Sequence, residues 1–215
     1  MKYVKMLGLA AVAAMAFMAF AGAGSASAAT STLCSTATNP CTSAYPIGTV
    51  LDFSLEPEKS AELVTTDKKT VLDKCSGSTV KGKLERDSRT TPTAQLAGGK
   101  LTELTWTGCT FPTKTLTPIE GGLEVEGLAG GNGTIKSFGE IRVTIQTVLF
   151  GSCVYGVTAG THLGTLTEGK PATIDAEAVA KKLSGSEAAC PETSLWTGKY
   201  IQTEPKETTM YVSNP

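Results

Sequence analysis

Six cysteines carry the most chemistry in this chain of 215 residues: Cys34, Cys41, Cys75, Cys109, Cys153 and Cys190. Widely spaced thiols can pair as disulfides, hold a metal or act as nucleophiles, and the compartment decides among these. Ahead of them, Lys2 and Lys5 precede an uncharged apolar run from Met6 to Phe20, and Ala26-Ser27-Ala28 has the small side chains that a signal peptidase accepts. Residues 1–28 therefore read as a signal peptide, and the exported remainder meets oxidising surroundings in which an even set of thiols forms a disulfide framework. The apolar run is shorter than the roughly 20 residues that cross a bilayer, so no membrane span is expected after cleavage. Six thiols allow fifteen pairings. The expected one is sequential, Cys34 with Cys41, Cys75 with Cys109 and Cys153 with Cys190, since the first closes a short loop and the others join strand ends. Zinc ligation calls for closely spaced cysteines or several histidines. The sequence has neither, with His162 as its one histidine, and no metal or cofactor is expected.

Catalytic candidates are sparse. Any Ser-His-Asp or Cys-His arrangement must pass through His162, which lies in a strand-like Thr-His-Leu and reads better as an ordinary surface or half-buried histidine. Ser78-Thr79-Val80-Lys81 matches the Ser-Xaa-Xaa-Lys of penicillin-binding proteins, but that pattern belongs at a helix start and these residues alternate like a strand. Two carboxylates suffice for glycoside hydrolysis. Glu124 and Glu126 would share a strand face, where a solvated outer surface explains them more simply. Gly130-Gly131-Asn132-Gly133 lacks the lysine of a phosphate-binding loop and reads as a turn. Asn132-Gly133-Thr134 is formally a glycosylation sequon. Trp106, Trp196, Tyr200 and Tyr211 could line a sugar-binding face, although scarce aromatics are more often core. The formal net charge of −1, with Asp67, Asp73, Glu85 and Asp87 interleaved among the lysines and arginines from Lys68 to Arg89, excludes a nucleic-acid surface.

Strands must position these groups. The chain is rich in threonine and glycine, and outside the leader its apolar residues mostly alternate with polar ones. Leu51, Phe53 and Leu55 alternate with Asp52 and Ser54. Further strands are expected at 61–66, 70–75, 78–86, 101–109, around Leu123 and Val125, and at 134–136. In the clearest, Ile141, Val143, Ile145, Thr147 and Leu149 oppose Arg142, Thr144 and Gln146. Residues 153–158 and 162–167 read as a hairpin, and 196–202 and 210–212 close the chain. In 101–109 a bulge at Gly108 is expected to turn Cys109 to the face of Leu104 and Trp106. The segment 174–184 fits a short helix, through Ala176, Val179, Ala180 and Leu183 and a Glu177/Lys181 pair, as well as it fits an alternating strand. The expected fold is all-β, an antiparallel sandwich or barrel of about ten short strands with one possible helix near 174–184. Residues 29–47 form an irregular N-terminal arm, and 48–215 a single β-domain.

Several segments together resemble a set of uncharacterised exported bacterial β-domain proteins with disulfides: Leu33-Cys34 to Pro40-Cys41, Tyr45-Pro46-Ile47-Gly48-Thr49, Gly77 to Gly82, Leu104 to Cys109, and Ala189-Cys190-Pro191 through Trp196 and Tyr200. The resemblance spans most of the chain beyond the leader and implies that Cys75 pairs with Cys109. It brings no activity and no functional residue. The expectation for function is an exported, non-catalytic β-domain, secreted or at the cell surface, acting as a binding or envelope component with a cell-wall glycan or a surface protein as partner. A small secreted hydrolase using a carboxylate pair and an oligomeric envelope pore are the alternatives.

Overall fold

A computed structural model describes residues 30–88, 95–115, 120–147 and 149–214. These form strands β1 (Thr32–Cys34), β2 (Val50–Leu55), β3 (Ala61–Thr65), β4 (Val71–Arg86) and β5 (Ala97–Cys109). There follow β6 (Thr113–Thr115), β7 (Gly122–Gly127), β8 (Gly133–Phe138), β9 (Ile141–Thr147) and β10 (Gly151–Val157). The last are β11 (His162–Thr167), β12 (Thr173–Lys182), β13 (Thr193–Glu204) and β14 (Tyr211–Ser213). One 3-10 turn, Ala129–Gly131, joins β7 to β8.

Eight antiparallel staves close into a barrel, running β4, β5, β7, β8, β11, β12 and β13, with one position shared by β2 and β3. Between β13 and β4, β2 pairs with Tyr200 to Glu204 and with Thr79 to Lys83. Further along the same gap, β3 pairs with Ser194 to Thr197 and reaches Cys75. Three strands extend the sheet from the end of β12, where Lys181 and Lys182 pair with β10, then β9 and β6. Closure satisfies the backbone groups that an open sheet edge would leave unpaired.

The apolar side chains form two clusters along the barrel. One gathers Leu33, Phe53, Leu84, Val125, Leu166 and Met210, and the other Leu63, Leu72, Ile145, Tyr155, Cys153 and Cys190. The N-terminal residues cap the first. Leu33 is buried there, Thr32 Oγ1 donates to Asp87 at 3.0 Å, and the backbone N–H of Leu33 donates to the other Asp87 oxygen at 3.2 Å. Ser31 accepts from the Ala97 N–H and donates to the Val125 carbonyl. Three disulfides join Cys34 to Cys41, Cys75 to Cys109 and Cys153 to Cys190.

Several details differ from the sequence reading. Leu149, expected on the inward face of the strand from Ile141, lies in the turn beyond β9 and is 75% exposed. The strands expected at 70–75 and 78–86 are one, because β4 runs through Gly77, where a side chain would strike Thr107 Oγ1 at 2.3 Å. No residue is inserted at Gly108, since the register from Cys75↔Cys109 to Lys81↔Glu103 is unbroken. Gly108 instead takes a left-handed φ of 59°, which suits a residue without a Cβ. Residues 153–158 and 162–167 do not pair with each other: β10 pairs with β9, and β11 lies between β8 and β12. The helical alternative for 174–184 falls, because β12 pairs residue for residue with β13 from Thr173 to Lys181. Nine consecutive ladder pairs outweigh one weak i,i+4 helical ion pair, and Glu177 meets Lys68 instead at 3.3 Å.

Candidate functional site

The barrel pulls the sequence's catalytic candidates apart. Ser78 and Lys81 are three residues apart on a strand and so take opposite faces. Ser78 is buried and accepts from the Tyr200 hydroxyl at 3.1 Å, while Lys81 lies between Asp52 and Glu103 at 3.3 and 3.4 Å. Glu124 and Glu126 do share an outer face, but Arg86 holds the first and Lys136 the second. Each carboxylate is thus committed to an ion pair across the outer face. His162 is exposed and stands opposite Lys136, not a carboxylate. Asp73, Cys75 and Cys109 bring potential metal-ligand atoms within 4.8 Å of one another, yet both sulfurs are consumed by their disulfide. The fully buried Asp73 carboxylate accepts from the backbone N–H groups of Lys74 at 2.8 Å and Phe111 at 3.0 Å and from the Thr113 hydroxyl, fixing the chain between β5 and β6. Asn132 uses its amide in the turn, donating to the Ala129 carbonyl and accepting from the Glu168 N–H at 2.9 Å.

The interior provides a site. At the barrel's waist, where β9 and β10 lie against the staves, is a cavity of about 140 Å³, walled by Leu104, Trp106, Ala178 and Trp196 of the barrel and by Val143 and Tyr155 of β9 and β10, among others. Its origin is in β12, whose inward positions Ile174, Ala176, Ala178 and Ala180 are mostly methyl groups. Opposite Ala176 stand Gly164 of β11 and Gly198 of β13, so three neighbouring positions share a single methyl. Gly198 is required there, because the Tyr200 ring lies 2.9 Å from where its Cβ would be. Large walls and a small-residue strip leave space that the described residues do not fill.

The two tryptophans pack edge to face, with centroids 5.3 Å apart and planes at 75°. The Trp106 indole N–H is buried without a hydrogen-bond partner among the described residues. Both tyrosine hydroxyls are tied down at the wall: Tyr200 donates to Ser78, and Tyr155 to the Pro191 carbonyl at 3.1 Å. Burial pushes the Tyr200 phenol up, and burial together with the charge of Glu192 pushes Tyr155 to about 12. Both stay neutral at physiological pH, and the cavity presents hydrocarbon to an occupant. Trp106, Trp196 and Tyr200, considered above for a sugar-binding face, thus turn inward.

No protein family, curated protein or solved structure matches the chain.

Proposed function

We propose that this protein is an exported, non-catalytic β-barrel that binds a small apolar ligand in its interior. The observation that carries the reading is the 140 Å³ cavity with an apolar wall. An apolar occupant buried against this wall leaves water at about 25 cal/mol per Å² of apolar surface covered. Eight-stranded barrels of this width hold one small ligand when their inward side chains are small. Three disulfides fit an oxidising, extracellular-type compartment. The leader-like residues 1–28 support secretion or cell-surface residence, where such a protein would carry, sense or sequester its ligand.

The outer face argues against the pore alternative, because Lys81, Glu103, Glu124, Glu126 and Lys136 alternate outward where a lipid-facing barrel needs hydrocarbon. The hydrolase alternative loses its best acid pair to Arg86 and Lys136.

The test is titration of the purified, oxidised protein with an apolar fluorescent dye while the emission of Trp106 and Trp196, the chain's two tryptophans, is followed. Saturable quenching at one-to-one stoichiometry is expected. Unchanged tryptophan emission together with an unchanged melting temperature at saturating dye would refute the reading.

A further inference from the structure

Beneath the waist cavity lies a second of about 60 Å³, reaching Leu33, Leu51, Phe53 and Met210. The two share five wall residues: Val80, Leu101, Leu123, Ile135 and Ile174. They also follow one another along the same strands. On β5 the lower cavity touches Gly98 and Gly99, both touch Leu101, and the upper one touches Leu104 and Trp106. On β12 Ile174 borders both, while Ala176, Ala178 and Ala180 border the upper alone. From Gly98 to Trp106 a strand spans roughly 26 Å, or about 20 Å along the axis after allowance for barrel tilt. The two cavities thus follow one another along the barrel, and the hydrocarbon side chains that wall both stand between them.

We infer that the occupant is a single unbranched alkyl or acyl chain threaded through both lobes. This rests on the interior-ligand reading above and names its ligand class. A compact ring system fills the waist and leaves the lower lobe empty, whereas a flexible chain passes the junction and buries methylenes on both sides. Burying one methylene is worth about fourfold in affinity, so the length of the lumen is readable as a chain-length dependence.

The experiment displaces the fluorescent dye with hexanol, decanol and tetradecanol, and with adamantanol as the compact control. Leu51 sits opposite Gly82, where no side chain competes for the lower lobe, so Leu51→Trp plugs that lobe and leaves the waist open. In the native protein, affinity is expected to rise about fourfold per added methylene from hexanol to decanol. Leu51→Trp should still bind hexanol normally but lose roughly 200-fold for decanol. Met210→Phe, in the same lobe, repeats the test if the tryptophan variant does not fold. Decanol no tighter than hexanol, adamantanol as tight as decanol, or a decanol affinity untouched by both plugs overturns the inference and leaves interior binding standing. Failure of every probe, dye included, overturns the underlying reading instead. A lysophospholipid of matching chain separates the sources: equal binding means the chain enters with its head outside, and exclusion means a free chain is enclosed.

Discussion

Ala176→Leu tests the cavity from the protein's side. The new side chain would project from β12 into the waist, with Gly164 on one side and Gly198, under the Tyr200 ring, on the other. Three added carbons at about 0.8 kcal/mol each bring about 2.4 kcal/mol of apolar burial. Fixing the leucine rotamer takes back about 0.5 to 1 kcal/mol. The net is a stabilisation of about 1 to 2 kcal/mol, provided the space is open. For a domain of this size each kcal/mol raises the melting temperature by roughly 2 to 4 °C. Calorimetry of the oxidised protein should show that rise, and dye titration should show binding weakened by at least tenfold, because protein and ligand now compete for the same volume. A packed interior gives the opposite sign: overpacking costs about 1 to 3 kcal/mol. A lower melting temperature with dye binding intact would refute both the void and its role.

Opening the loop of 34 residues closed by Cys75 and Cys109, through paired serine substitutions, should cost about 4 kcal/mol by the chain-entropy model, measured by urea unfolding. Asp73→Ala strands the Phe111 N–H and the Thr113 hydroxyl and should cost about 2 to 4 kcal/mol; a loss under about 0.5 kcal/mol would contradict the role given to this carboxylate. At alkaline pH, Tyr155 ionises near pH 10 in the unfolded chain and near about 12 in the fold. The folded phenol's pKa is the raised one, so its contribution is complete below pH 10 and is lost as pH climbs from there toward 12. Tyr155→Phe should flatten that alkaline decline in unfolding free energy, and superimposable curves would exclude Tyr155 as a cause.

Period-two patterning made the fold class legible, because one wet face and one dry face force alternation on nearly every strand. Ile141 to Thr147 is the clearest instance: Ile141, Ile145 and Thr147 are buried while Arg142 and Gln146 are exposed. Segment 174–184 was ambiguous for a physical reason, since alanine is the best helix former and also the smallest side chain that lines a barrel. The same alanines that kept the helix open as an alternative are what leave the cavity. That site was hidden because a void is a property of what several strands fail to place together, and the contacts Gly164, Ala176 and Gly198 are separated by loops whose pairing the sequence does not state. Ser78 with Lys81 and Glu124 with Glu126 drew notice as motifs, and only the ladder reveals that one pair straddles a sheet and the other is neutralised.

The pairing of β1 with β14, in which Leu33 meets Val212, has a consequence for biogenesis. A polypeptide whose opening strand hydrogen bonds to its closing one cannot zip up from either end, and its contact order is correspondingly high. During synthesis β1 waits without its ladder partner until Tyr211 to Ser213 have been added, although Asp87, Ala97 and Val125 can already hold its residues by their side-chain contacts. Through that interval the half-built cylinder exposes raw strand edges, and chaperones that shield them would decide the yield as much as the sequence does.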